Sequence, residues 1–200
     1  MLVTRRELED LIRTAPPLDA FDRVVAENGA LLFTPEPPTE RPLARPPPTE
    51  LVAALRDRGV EPIAVGRIIV ATSKPFGPTV KEVIAELGLA LEVVYNRGAV
   101  MVLPAGVSKA SGLAAALADL GVAPAEVAAV GDAENDHAML AASGVGVAVA
   151  NAVPALKQRA QVVTTAERGD GVVELCEQIL ATGLEDVEAA TPLALWSVAT

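Results

Sequence analysis

The chain has 200 residues, of which 51% are hydrophobic and only 2% aromatic, so its core must be built from Ala, Val and Leu. A formal net charge of −10 excludes a broad basic surface for nucleic acid and disfavours anionic membranes. The single cysteine excludes an internal disulfide and is typical of a reducing cytoplasm, and no apolar stretch reaches the ~18 residues of a membrane-spanning helix.

The first residues predict a strand, a helix and a short hairpin. An apolar run at 1–3 ends at Thr4, and apolar residues then recur at helical spacing as far as Pro16. Apolar runs at 24–26 and 31–33 flank polar and glycine residues, which predicts two strands joined by a turn.

A proline-rich linker and a second unit follow. Seven prolines between residues 34 and 48 predict an extended path without a helix. A helix through Leu55, a strand at 68–72, a helix at 80–87 and a hairpin at 91–103 come next. Together they predict a small α+β unit whose size suits an insert.

Strands and helices alternate in the rest of the chain, which predicts a parallel sheet covered by helices. Cys176 falls among apolar residues of the last helix, which predicts a buried and inert thiol. No pattern is readable in residues 183–200. The predicted helices are 109–120, one through Leu140, 154–160 and 171–181, and the strands are 127–130, 145–149 and 161–164.

An acid-rich loop follows the strand at 127–130, in the sequence Gly131-Asp132-Ala133-Glu134-Asn135-Asp136. Because a buried parallel strand delivers the next residues to the carboxyl edge of its sheet, we expect both aspartates to face one point. One or two carboxylates with phosphate and water are a usual ligand set for Mg²⁺. The alternative, from the residues alone, is a helix cap or a solvated turn.

Two further residues have the chemistry of a phosphate site. Lys109 stands at the start of a predicted helix, where an ammonium group is unfavourable unless an anion lies close by. Thr4 stands between a strand and a helix, where its hydroxyl can donate to a phosphate oxygen. Taken singly, the two residues are better interpreted as a surface lysine and an N-cap threonine.

In this order the motifs resemble those of the haloacid dehalogenase-like phosphohydrolases, in the subclass with an α/β cap inserted into the core. The resemblance covers about residues 1–180 and implies an α/β fold with a Rossmann-like parallel sheet core. The core would comprise residues 1–33 and 105–182, the inserted small α+β cap domain residues 34–104, and the C-terminal tail residues 183–200.

The resemblance also implies roles for single residues. Val3-Thr4-Arg5-Arg6 is similar to the motif whose Thr or Ser holds the phosphate, and Lys109 is similar to the lysine that offsets negative charge. The acid-rich loop is similar to the motif that holds Mg²⁺. The implied site comprises catalytic Lys109 and Thr4, the Mg²⁺ ligands Asp132 and Asp136, and substrate-binding Asn28, Gly29, Asn135 and Arg6.

The chain departs from the family pattern in two places. Where this chain has Arg5, the family usually has glycine. The Arg5 side chain is expected either to crowd the phosphate loop or to point to solvent. The family's first motif, a strand ending in Asp-x-Asp that provides the nucleophile, has no counterpart before Thr4. We therefore expect an N-terminally truncated core, from a mis-assigned start codon or a shortened chain, in which the strand between those of Thr4 and Asp132 is missing.

The resemblance implies an Mg²⁺-dependent phosphatase acting on a small phosphorylated metabolite, inactive without an upstream Asp-x-Asp strand. The alternative is an inactive relative that binds only metal and phosphate, or that acts through contacts with another protein. A nucleotide-binding domain is disfavoured because neither glycine-rich nucleotide motif is present. We expect a cytoplasmic protein without nucleic-acid or membrane partners, and the sequence does not indicate its oligomeric state.

Overall fold

The computed structural model describes residues 1–15, 17–96 and 98–189. These residues form two compact units, with the border between Val122 and Ala123. Within the described ranges, no helix is long and apolar enough to cross a membrane. The first unit contains two four-stranded sheets, and the second contains a three-stranded sheet.

The first sheet has the strand order β1-β2-β3-β4. Strand β1 (Leu2–Val3) is parallel to β2 (Val24–Ala26), whereas β3 (Leu31–Thr34) and β4 (Thr39–Pro42) continue the sheet in antiparallel pairs. Helix α1 (Leu8–Thr14) connects β1 to β2 and buries two leucines against β2 and β3. The strand, helix and hairpin predicted for this segment are therefore all present.

Strand β4 lies in the segment that the prolines predicted to be an extended linker. The segment is extended, but it pairs with β3 rather than running free, and Pro42 lies opposite Leu31. An outer strand tolerates proline because the missing N–H can fall on the side that faces away from the sheet. The proline-rich composition predicted a linker, and the edge strand β4 within it was therefore not predicted.

The second sheet is antiparallel throughout, with the strand order β5-β6-β8-β7. Its two helices bury leucine, valine and isoleucine side chains in one cluster with β6 and β8. This is the predicted α+β unit, with one strand, β5, that was not predicted. The elements are α2 (Thr49–Asp57), β5 (Ile63–Val65), β6 (Val70–Ser73), α3 (Gly77–Glu86), β7 (Leu91–Asn96) and β8 (Ala99–Pro104).

Helix α4 (Lys109–Leu120) is the last element of the first unit. Ser108 and Ser111 cap its start reciprocally, because the side chain of each accepts the backbone N–H of the other. Ala116 packs against strands β2 and β3 of the first sheet. The capping fixes where the helix begins, and so where Lys109 lies.

The second unit has the alternating pattern that the sequence predicts. Its three strands are parallel, in the order β11-β10-β9. With the parallel pair of the first sheet, they give the mixed α/β architecture. The elements are β9 (Ala128–Gly131), α5 (His137–Ala141), β10 (Val145–Ala148), α6 (Pro154–Lys157), β11 (Val162–Val163), α7 (Arg168–Thr182) and α8 (Leu184–Ala189).

The end of the chain differs from the expectation in two places. Cys176 is exposed, so the prediction of a buried thiol is wrong; its neighbour Leu175 is the buried residue of that turn of α7. Helix α8 occupies part of the segment in which no pattern was readable. Residues 190–200 lie outside the described residues.

Strands β1 and β9 precede Thr4 and Asp132. They belong to different sheets, and each is an edge strand of its sheet among the described residues. Each therefore has one hydrogen-bonded neighbour in the described part of the chain. The predicted absence of a strand between them stays a prediction.

Candidate functional site

A tight turn between β2 and β3 carries two of the predicted substrate-binding residues. Glu27 and Asn28 have φ angles of 52° and 58°, where residues other than glycine are uncommon, and Gly29 follows at 106°. All three residues are buried. Backbone strain of this kind persists only where the surroundings fix it, and it concentrates at functional sites.

The backbone of Thr4 connects the end of β1 to this turn. Its N–H donates to the carbonyl of Val25 at 2.8 Å, and its carbonyl accepts the N–H of Asn28 at 3.0 Å. The Thr4 hydroxyl accepts the N–H of Arg6 at 3.2 Å. The structure therefore brings Thr4 and Asn28 together at the carboxyl ends of the parallel pair β1 and β2.

Lys109 begins α4 and is 8% exposed. Gly29 lies against this helix start: a Cβ added to Gly29 would overlap the carbonyl group of Ser108 and would lie 3.1 Å from the backbone nitrogen of Lys109. Gly112, in the next turn, also lies against this turn, since a Cβ added to it would lie 2.7 Å from the Cα of Gly29. Thr4, Asn28, Gly29 and the start of α4 are thus adjacent, and a buried ammonium at a helix N-terminus favours an anion there.

Arg5 and Arg6 have different surroundings. The guanidinium of Arg6 pairs with Asp10 at 2.6 Å and donates to the Thr14 hydroxyl, so it is held by α1. Its role in substrate binding stays a prediction. Arg5 is exposed and lines a cavity of about 500 Å³ in the first unit.

In the second unit, Asp136 organises the loop that follows β9. Its Oδ2 accepts the backbone N–H groups of Asp132 at 3.0 Å and Ala133 at 2.9 Å, and the residue is buried. Asn135 is half-buried in the same turn. The loop therefore brings Asp132 and Asp136 together. Asp136 also has a capping role, because its carboxylate is at the N3 position of a capping box that begins at Ala133.

The donor chemistry of this loop fits Mg²⁺. Among the described residues, no group of three or more His, Cys, Asp or Glu side chains is arranged for a metal ion. Mg²⁺ needs fewer protein ligands, because it is usually held by one or two carboxylates together with phosphate and water. A carboxylate has two oxygens, so the capping role of Asp136 is compatible with coordination.

We expect Gly131→Ala to displace Asp136. A Cβ at this position would lie 2.6 Å from both Cβ and Cγ of Asp136, and such overpacking costs about 1–3 kcal/mol. Urea unfolding measures the loss. Gly169→Ala is the matched control, because nothing lies within 4 Å of its new methyl group in the first turn of α7. Equal stability of the two variants would contradict the close approach.

Known proteins are similar to this chain in sequence and in fold. A family profile described as haloacid dehalogenase-like hydrolase matches residues 80–175. Phosphoglycolate phosphatase of Methanopyrus kandleri is 33% identical over 187 residues, which cover 88% of this chain and 79% of that protein. Phosphoglycolate phosphatase of Methanothermobacter thermautotrophicus is 31% identical, with coverage of 90% and 82%. A haloacid dehalogenase-like hydrolase from Bacteroides thetaiotaomicron shares the fold with a TM-score of 0.72 at 20% identity, over 89% of this chain and 86% of that one.

Proposed function

Because this chain belongs to the haloacid dehalogenase-like hydrolases, a family that includes phosphatases, we propose that it is an Mg²⁺-dependent phosphatase of a small phosphorylated metabolite. Phosphoglycolate, named for two relatives, is the substrate we propose to test first. The observation that carries the proposal is the adjacency of Thr4, Asn28, Gly29 and the start of α4 at Lys109.

These residues offer the donors that a phosphoryl group requires. In phosphoryl transfer, negative charge spreads over the oxygens of the transferring group, and catalysis is mainly positioning and electrostatic stabilisation. Lys109 would supply a positive charge, and its burial would strengthen the electrostatic attraction to the phosphate. Thr4 would supply a hydroxyl donor. The N-terminus of α4, beside Lys109, adds a favourable dipole for an anion.

Asp132 and Asp136 would hold the metal in this proposal. Mg²⁺, when bound, polarises a phosphoryl oxygen and neutralises charge on the reacting group. The two backbone N–H groups that Asp136 accepts fix its carboxylate, and Gly131 leaves the room for it. Asn135, in the same turn, would contact the substrate.

The proposed reaction requires a nucleophile from an Asp-x-Asp strand upstream of Thr4, as the family resemblance implies. That carboxylate would attack phosphorus, the second aspartate of the motif would protonate the leaving alcohol, and water would then hydrolyse the aspartyl-phosphate. Strand β1 ends its sheet in the described residues, which gives such a strand an edge to pair with.

The test measures phosphate release from 2-phosphoglycolate by protein expressed with the in-frame residues encoded upstream of Met1. We expect Asp132→Asn to lower kcat by about 100-fold or more, because a metal ion contributes several kcal/mol of charge stabilisation. EDTA should have the same effect, and added Mg²⁺ should reverse it.

Asp170→Asn is the control for that substitution, since Asp170 is an exposed carboxylate of the same unit. It should retain full activity. Turnover that survives both EDTA and Asp132→Asn would exclude the metal assignment. Binding of 2-phosphoglycolate without any turnover would favour the inactive-relative alternative.

A further inference from the structure

The cavity beside Arg5 has a charged wall and an apolar wall. Side chains from the loop between β1 and α1 and from α1 itself form one wall. The second sheet forms the other wall, with Ala64, Ala71 and Ala99 among its lining residues. The small side chains leave about 500 Å³, which is within the range of sites for small molecules.

The charges of this cavity do not cancel. Two of the three arginines that line the cavity form ion pairs with the Asp10 carboxylate, Arg6 at 2.6 Å and Arg13 at 2.9 Å. The hydrogen bonds from these arginines lower the pKa of Asp10. Burial raises the pKa of Glu7, and the negative charge of Glu27 adds to the effect. Arg5 makes no hydrogen bond or ion pair with the residues that the structure describes. It is therefore the cation of this cavity that remains available for a ligand.

The position of Arg5 connects the cavity to the phosphate donors. Arg5 directly follows Thr4, whose backbone is bonded to the turn at Asn28. Because consecutive Cα atoms are about 3.8 Å apart, an arginine side chain at position 5 is long enough to reach the other end of a small substrate whose phosphate lies at Thr4. The guanidinium fork matches a carboxylate with two parallel N–H···O bonds.

We propose that Arg5 binds a second anionic group of the substrate, a carboxylate, and selects phosphate esters of small carboxylic acids over uncharged ones. This inference rests on the proposed function for the identity of the first group, the phosphate. Arg5 is then a specificity-determining residue, and the alanine-lined sheet face limits the length of the acid.

Calorimetric titration tests the proposal without requiring turnover. The probes are 2-phosphoglycolate and ethyl phosphate, which have the same chain length and differ by the carboxylate, both in excess Mg²⁺. The wild-type chain should bind 2-phosphoglycolate more tightly. Arg5→Gln should weaken that binding by about 10- to 100-fold, the range for a hydrogen-bonded charge pair, and should leave the affinity for ethyl phosphate within about threefold.

Two variants serve as comparisons. Arg13→Gln removes another arginine of the same cavity, one already paired with Asp10, and should preserve the preference for 2-phosphoglycolate. Arg5→Lys keeps the charge but loses the bidentate geometry, so its preference should be intermediate.

Equal affinity of the wild type for both esters, or no binding of 2-phosphoglycolate, would overturn the role of Arg5. An equal loss for both esters in Arg5→Gln would also overturn it. Hydrolysis is measured separately, with the upstream residues included. If neither ester is hydrolysed while the Arg5-dependent preference persists, the proposed function fails and the binding role of Arg5 stands.

Discussion

Glu27→Ala is expected to destabilise the first unit by about 3–5 kcal/mol, because it leaves three backbone N–H groups without their acceptor. The Glu27 carboxylate is 1% exposed and accepts three consecutive backbone N–H groups. Oε1 accepts that of Arg67 at 2.8 Å, and Oε2 accepts those of Ile68 at 2.7 Å and Ile69 at 2.9 Å. One side chain thus joins the β2–β3 turn to the residues between β5 and β6.

The size of the effect follows from the backbone N–H donors that alanine would leave without an acceptor. Each hydrogen bond to a charged group contributes about 1.5–3 kcal/mol, and each buried donor without a partner costs about 1–3 kcal/mol. Water cannot easily replace the carboxylate, because Gly66 closes against it: a Cβ there would lie 2.6 Å from Oε1. Against a total stability of about 5–15 kcal/mol, such a loss is large.

Urea unfolding of the variant measures this loss, and two substitutions calibrate it. Glu27→Gln keeps one acceptor oxygen and should lose roughly half as much. Glu40→Gln removes an exposed carboxylate that pairs with the Arg67 side chain at 3.1 Å, and should lose less than about 1 kcal/mol. If Glu27→Ala and Glu40→Gln cost the same, the carboxylate does not hold the second sheet in the way described.

The role of Glu27 could not be predicted from the sequence, although the turn that contains Glu27 was predicted. The turn is local, and glycine and asparagine mark it. The partners of the carboxylate lie about 40 residues further along the chain, and they are backbone groups that carry no residue signature. The partners of Arg67 are also distant in sequence: its side chain pairs with Glu9 and Glu40, and its backbone N–H donates to Glu27.

Elements with a clear apolar run or apolar periodicity were predictable, whereas exposed ones were not. Helix α4 and strand β10 follow from their apolar spacing. Strand β5 has only three residues, two of them exposed, which is too short for alternation to be detected. Cys176 was misplaced because apolar neighbours suggested a buried face, yet Val172 and Val173 are themselves exposed on α7.

The local setting of the candidate site was also predictable. Thr4 follows β1, Lys109 begins α4 and Asp132 follows β9, as the strand and helix signals indicated. The close approach of Gly29 to α4 could not be predicted, because it depends on how a turn packs against a helix some 80 residues later in the chain. The glycine in the sequence shows only that a turn is permitted there.

Gly29→Ala is the substitution that tests this approach, and it is expected to cost about 3–5 kcal/mol of stability. Two effects combine. The φ angle of 106° lies where alanine is strained, and the new methyl group would overlap the carbonyl of Ser108. Backbone cannot rotate away as a side chain can, so the start of α4 must move.

Movement of α4 would carry Lys109 with it. Misplacement of a catalytic group by about 1 Å can lower the rate about 100-fold, so phosphatase activity should fall at least that far in any Gly29→Ala protein that remains folded. Affinity for inorganic phosphate, measured by calorimetry, should fall as well. Both measurements belong at a temperature well below the unfolding midpoint of the variant.

Gly59→Ala separates backbone strain from the steric overlap. Gly59 ends α2 with a φ of 71°, but nothing lies within 4 Å of an added Cβ, so this variant should lose only about 1–2 kcal/mol and retain phosphate binding. The difference between the two glycine variants measures the contact with Ser108. If Gly29→Ala loses no more stability than Gly59→Ala and still binds phosphate, then the turn does not position Lys109, and the adjacency on which the proposed function rests has no functional role.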